Sequence, residues 1–429
     1  MRKMIKMSMA AVMVMGVSSV SVQANDILTN IKAQGQIRAR YEMVDAKQTP
    51  DIPNANAFTN RLTLGVSADL LGTSWLSAYA EMTDVRALND NYNSQVNNSN
   101  NEVVLDSEQT RVTQAYLDMK YGKTKLRVGR QGFNLDNLRF VGTVDWRQMP
   151  QTFDAYTLTD STVENLNLFA SYVTQVNRVT HESLATGNWD TRTLLLNASY
   201  KVMPELKVTV YDYMIGEGTG NLATGGNGSD TYGIALTGEV KVAEAAKLTY
   251  RAEYAEQTDP SMENSGSTTN INVDANYMNL QLCADVSGIL AGIQYEALSG
   301  ANDSGTETAF QTPLATLHAH NGFADMFMTT PEDGLEDLSI SLGYKSKEFG
   351  MLKATYHDYT SEVGSVDYGT ELDVTYARAI PGVNNLSGLL KVADYNADSS
   401  TAGDILAGTT RNVDTTKFWA MLDYKFATK

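Results

Sequence analysis

Between Leu62 and Leu70 the chain reads L-T-L-G-V-S-A-D-L, with an apolar residue at every second position and Thr, Gly, Ser and Asp between them. A strand points successive side chains to opposite faces, so this period gives one greasy face and one polar face. The same grammar recurs in about eighteen segments, from near Gln36 to near Phe426, and the connections between them are alternately short and long. Few architectures accommodate that arrangement.

Eight connections are tight, at Gly72-Thr73, Gly122-Lys123, Val163-Glu164-Asn165, Met203-Pro204-Glu205, Ala243-Glu244-Ala245, Ser287-Gly288, Ser346-Lys347-Glu348 and Pro381-Gly382. They are rich in the turn-formers that short hairpins require. The intervening connections are long and dominated by Asn, Gly, Ser and Thr, as in Asn89 to Asn101 and Gly216 to Ser229. Tight turns at one end and long loops at the other describe an outer-membrane β-barrel.

A soluble β-sandwich also alternates, so the two faces decide. One carries Leu248, Tyr250, Ala252 and Tyr254, then Met278, Leu280, Leu282, Ala284 and Val286, and finally Phe418, Ala420, Leu422, Tyr424 and Phe426. The other carries Arg38, Arg40, Arg61, Glu81, Asp118, Arg127, Arg251, Glu253, Asp285, Glu296, Glu371 and Asp373, a set that fits only a wet interior. Tyrosine makes up 22 residues, and on the apolar parity it gathers at both strand ends. Tyr41, Tyr172, Tyr254, Tyr295 and Tyr356 lie toward the long loops and Tyr121, Tyr200, Tyr344 and Tyr424 toward the tight turns, as two interfacial belts would. The fold class is therefore all-β, a transmembrane antiparallel up-and-down barrel of about eighteen strands. That number encloses a water-filled lumen, where eight strands would fill with side chains.

Residues 1–24 carry Arg2, Lys3 and Lys6, an apolar run from Met7 to Val22, and small residues around Val22-Gln23-Ala24, the three parts of a secretory signal peptide. The barrel is assigned to 25–429. Removing the signal takes three positive charges and no negative ones, so the net charge moves from −17 to −20 and nucleic acid is excluded as a partner. The single cysteine, Cys283, permits no internal disulfide and falls on the lumen parity. Most of the negative charge lies in the long connections, and the lumen face keeps a slight basic excess. Acidic loops of this kind are either simply solvated or bind divalent cations shared with lipopolysaccharide.

Two stretches break the period. From Phe133 to Gln151 the chain is too rich in Phe133, Phe140, Val141, Trp146 and Met149 to stand in solvent, so it is expected to fold into the lumen. A second stretch, about 317–333, contains His318, His320, Asn321, Phe323 and Asp325 within the longest loop. Arg127, Arg130, Arg139 and Arg147 fall within 21 residues. Either they pair with Asp136, Asp145 and Asp154 to pin the inserted loop, or their forks face passing carboxylates and phosphates.

At these positions the chain resembles the alginate-export family of outer-membrane barrels. The likeness rests on G-R-Q-x-x-x-L-D-N-x-R-F-V-G from Gly129, D-W-R-Q-x-x-Q-T-F-D from Asp145 and H-N-G-F-A-D-M-F from His320. The resemblance implies a monomeric eighteen-stranded barrel whose inward segments constrict a pore lined by basic residues, and it does not imply alginate itself. The pore-lining candidates are Arg38, Arg40, Arg61, Arg127, Arg130, Arg139, Arg147, Asp136, Asp145, His320, Asn321 and Asp325.

The last strand, ending Tyr424-Lys425-Phe426, resembles the signal read by barrel-assembly machinery, with Ala427-Thr428-Lys429 added. None of the four histidines, His181, His318, His320 and His357, sits in a recognisable nucleophile constellation, so no enzyme, no catalytic residue and no cofactor is expected. The lone H-x-H at His318 and His320 is too weak a signal for a metal site. The expected function is passive diffusion of small hydrophilic solutes, with a weak anion preference. Export of an anionic polysaccharide and a structural or adhesive surface role are the alternatives.

Overall fold

The computed structural model describes residues 27–47, 52–97, 99–216, 228–262, 272–301, 308–398 and 412–428. The signal-peptide assignment lies outside them. Eighteen strands follow one another: β1 (Leu28–Ala46), β2 (Ala55–Leu70), β3 (Leu76–Ala87), β4 (Gln109–Tyr121), β5 (Thr124–Gln131) and β6 (Thr152–Asp160). The middle third is β7 (Leu166–Asn177), β8 (Asn188–Met203), β9 (Leu206–Ile215), β10 (Ser229–Ala243), β11 (Ala246–Thr258) and β12 (Asp274–Val286). The last third is β13 (Ile289–Leu298), β14 (Leu335–Ser346), β15 (Gly350–Thr360), β16 (Asp367–Ala379), β17 (Leu386–Ala397) and β18 (Thr415–Ala427). Each pairs antiparallel with its neighbours, and β18 closes on β1 from Gln34↔Ala427 to Ala46↔Thr415. Closure leaves no unpaired edge, the condition for placing strands in lipid.

The expected count of eighteen and all eight tight turns match the strands. One boundary differs, because β1 begins at Leu28 rather than near Gln36. Its first residues pair with β2 as Leu28↔Leu70, then slip between Thr29 and Lys32, where Asn30 takes a φ of 50°. That irregularity interrupts the alternation on which the sequence reading depended.

The outer face is apolar. Leu280, Leu282, Ile293, Ile340, Leu342 and Leu422 are all exposed, and Tyr121, Tyr200, Tyr344, Tyr356 and Tyr424 are exposed at the strand ends. Inside, Arg40, Arg61, Glu253, Glu296, Glu371 and Asp373 are buried. Such charges stay buried only when paired and hydrogen-bonded; the wall itself holds Glu253 through Arg251 and Tyr211, Arg40 meets Glu42 and Asp106, and the two inserted segments meet the rest.

Candidate functional site

The β5–β6 connection, 132–151, crosses the lumen. Asp136, Leu138 and Val144 hold φ values of 48°, 68° and 49°, so the segment folds by tight local turns rather than as a strand. It meets the long β13–β14 connection in a short parallel bridge between Val141 and Leu314. Gly142 N–H donates to the Leu314 carbonyl (2.9 Å) and Thr316 N–H donates to the Leu138 carbonyl (3.0 Å). Gln151 Nε2 donates to the carbonyls of Gly142 (2.9 Å) and Leu314 (3.1 Å). A Cβ on Gly142 would stand 2.2 Å from Thr316 Oγ1, so only glycine lets the two segments approach this closely. Together they form one plug.

Aromatic side chains bind the plug to the wall. Phe140 packs among Tyr211 and Tyr213 of β9, Tyr277 of β12, and Phe310. Phe133 stacks on Phe153 at 4.4 Å between centroids. On the far side Trp146 stacks on His318, with centroids 4.2 Å apart and planes within 6°, and both rings meet Trp419 of β18 edge-on. His318 sits in a 3-10 turn, Leu317–Ala319. The short turn that follows contains Gly322, where an added Cβ would lie 2.3 Å from the Tyr359 hydroxyl.

Ion pairs complete the attachment. Arg147 reaches both carboxylate oxygens of Glu42 on β1 at 3.1 Å and Asp325 of the second segment at 3.4 Å. Burial alone would lower the Arg147 pKa, but Glu42 and Asp325 outweigh it and hold it above the ordinary value. Arg139 pairs with Glu296 of β13 at 3.3 Å. Asp325 also accepts from His318 Nδ1 (2.7 Å) and Lys417 Nζ (3.3 Å).

Lys391 Nζ lies 3.1 Å from His318 Nε2 and 3.3 Å from the centre of the Phe323 ring. An ammonium only donates, so Nε2 accepts and the ring proton sits on Nδ1, facing Asp325. The imidazole is therefore neutral. Burial pushes His318 down to about 3 and His320 down to about 4. Burial would raise Asp325, but His318 and Lys417 dominate and hold it far below the usual carboxylate range.

The other candidates separate into groups. Arg40 is buried between Glu42 (2.9 Å) and Asp106 and donates to the Trp146 carbonyl. Arg38 pairs with Asp423 at 3.0 Å, and Arg61 with Asp145 at 2.7 Å. The Asp145 side chain remains 55% exposed, so it faces the open part of the lumen. Asp136 is also exposed and accepts from Asn197 Nδ2 at 2.8 Å. Asn321 Nδ2 donates to Glu296 (2.7 Å) and Asp337 (3.2 Å), at the plug's contact with β13 and β14. Arg127 keeps the lumen parity, lies 3.7 Å over the Tyr116 ring, and makes a two-pronged bond to Asp118 at 2.7 and 2.8 Å.

Arg130 is apart from the others. Its register partner Ala115 is exposed, its neighbours Gly129 and Gln131 turn inward, and it pairs with Asp154 on the outward side of β6 (2.7 Å). Of the two expected roles for the arginines, Arg139 and Arg147 fill the pinning one. Their partners are wall carboxylates and Asp325 rather than Asp136, Asp145 or Asp154. Glu42, Lys391 and Lys417 were not singled out as site residues. Their lumen parity was the only sequence signal, and it cannot tell which loop will meet them. Among the described residues no group of three or more His, Cys, Asp or Glu side chains is placed to hold a metal.

A sequence profile described as alginate export matches residues 29–284. No curated protein matches the chain by sequence. Among solved structures, OpdO of Pseudomonas aeruginosa superposes with a TM-score of 0.69 at 12% identity, covering 95% of this chain and 100% of its own. OccAB4 of Acinetobacter baumannii gives 0.68 at 16% identity, covering 94% and 100%. OpdK of Pseudomonas aeruginosa, solved with vanillate, gives 0.68 at 12% identity, again covering 94% and 100%.

Proposed function

Because this chain belongs to the alginate export family, we propose that it is an outer-membrane channel for passive diffusion of small hydrophilic solutes, anions favoured. The observation that carries this reading is the closed barrel of eighteen strands whose charged lumen is narrowed by a plug built from two of its own loops. A structural barrel has no need of a wet, charged interior, and burying one costs several kcal/mol per unpaired group. The exposed apolar belt supports a lipid setting for the strands, in which the tight turns face the periplasm and the long loops the exterior.

The anion preference rests on Arg127 and on the cations at the tight-turn ends of β10 to β14, Lys241 and Lys347 among them. OpdK, a structural neighbour solved with vanillate, offers a small carboxylate as a test solute. The family profile favours a second reading, export of an anionic polysaccharide. Swelling of proteoliposomes separates them: the channel reading expects uptake of sugars and small carboxylates with exclusion of a polyuronate chain. Passage of the polymer with no faster entry of small solutes would favour export, and no swelling in any solute would favour a structural role.

A further inference from the structure

We propose, resting on the channel reading above, that the periplasmic mouth holds a binding site for small multiply charged anions, so that such anions engage the pore from one side only. At the tight-turn ends of β10 to β16 the inner wall opens into a cleft of about 770 Å³. Its volume is cleared by small side chains at lumen-facing positions, Ala243, Ala377 and Ala379, and by Gly288 at the turn. Around it stand five cations, Lys241, Lys247, Lys345, Lys347 and Arg378, against two carboxylates, Glu244 and Asp285.

Two of the lysines are occupied. Lys345 pairs with Asp285 at 2.6 Å, and Lys247 with Glu239, just outside the cleft, at 2.8 Å. Arg378 donates to the Glu348 carbonyl at 2.9 Å, which leaves its charge uncompensated. Lys241 and Lys347 make no salt bridge among the described residues. Counting Glu239 and setting aside Arg378, which alternates onto the outward face between Ala377 and Ala379, the site keeps an excess of one positive charge, with Lys241 and Lys347 free to converge on an anion.

The opposite mouth has the opposite sign. The nine long connections carry a net charge of −15 between the strand ends. An anion approaching from outside meets repulsion, whereas one approaching from the periplasm meets the cleft first. Clefts of one sign raise the local concentration of the opposite ion.

The test uses tripolyphosphate as probe and the full barrel in planar bilayers at low salt, where screening is weakest. Orientation is read from a biotin tag in the β9–β10 connection blocked by streptavidin. Tripolyphosphate on the tight-turn side is expected to block the current at a concentration about tenfold lower than on the loop side. The Lys241→Gln/Lys347→Gln variant loses that sidedness, and Lys120→Gln/Lys201→Gln, outside the cleft, keeps it. Equal block from both sides, or sidedness surviving the first pair, overturns the proposal. Calorimetric titration of tripolyphosphate into the detergent-solubilised barrel decides it independently of conductance. One site lost in the first variant supports it, and no binding to the wild type refutes it. A wild type that binds the probe but passes no current removes the channel reading and leaves the site.

Discussion

Arg147 is the residue by which the plug should come loose. It holds Glu42 of the wall and Asp325 of the second segment at once, and all three side chains are nearly inaccessible. Replacing it with methionine keeps most of the length and apolar stem and removes the charge. Breaking a buried ion pair from one side costs about 3–5 kcal/mol because the partner is left uncompensated. Glu42 retains Arg40, and Asp325 retains His318 and Lys417, so the lower end, about 3 kcal/mol, applies.

At roughly 1.4 kcal/mol per factor of ten, the ratio of displaced to seated plug rises about a hundredfold. The wall should be unaffected, since β1 keeps its full register with β2 and β18. Single-channel recording of Arg147→Met should therefore show a larger or more frequently fluctuating conductance, while the thermal transition of the barrel stays in place. Unchanged conductance would refute the assignment of Arg147 as the pin. Loss of the folded barrel would refute the separation of plug from wall.

Acidification should loosen the same contact. Burial lowers the His318 pKa from its ordinary 6.5 to about 3, so its contribution is complete above 6.5 and is lost as the pH falls toward 3. At pH 4.5, two units below 6.5, the loss is on the order of 2–3 kcal/mol, and open-state noise should grow between pH 6.5 and 4.5. In His318→Gln that growth should be smaller, and an identical pH profile would remove His318 from the account. Leu280→Arg, at an exposed apolar position midway along β12, should destabilise the barrel in lipid by about 2–4 kcal/mol, read by reversible unfolding into bilayers. A neutral outcome there would contradict the parity assigned to β12.

How far the sequence reached depended on the range of the interaction. Turn chemistry is local, so Gly122-Lys123 and Ser287-Gly288 announced their hairpins directly. The alternation is nearly local, so Leu280 and Leu282 on one face and Cys283 and Asp285 on the other were readable at sight. Where a bulge shifts the period, as between Thr29 and Lys32, the reading failed. Arg130 was misplaced for another reason: β5 pairs in unbroken register with β4 and β6, so alternation alone sets Arg130 on the face opposite Arg127, and nearness in sequence hid that.

The departure of residues 133–151 from the period signalled a segment that packs elsewhere. Its partners stand far off in sequence. Arg139 finds Glu296, and Arg147 finds Glu42 and Asp325. Nothing in the composition of the segment distinguishes those carboxylates from Asp136, Asp145 and Asp154, which are nearer in the chain and have the same charge. Only closure of the barrel brings β1 and β13 to opposite sides of one loop.

The reversal potential of the purified protein in a planar bilayer under a salt gradient tests the central claim most directly. An open channel with a reversal potential of the anion-selective sign is predicted, shifting toward cation selectivity in Arg127→Glu. Absence of any channel, or cation selectivity that Arg127→Glu leaves unchanged, would contradict it.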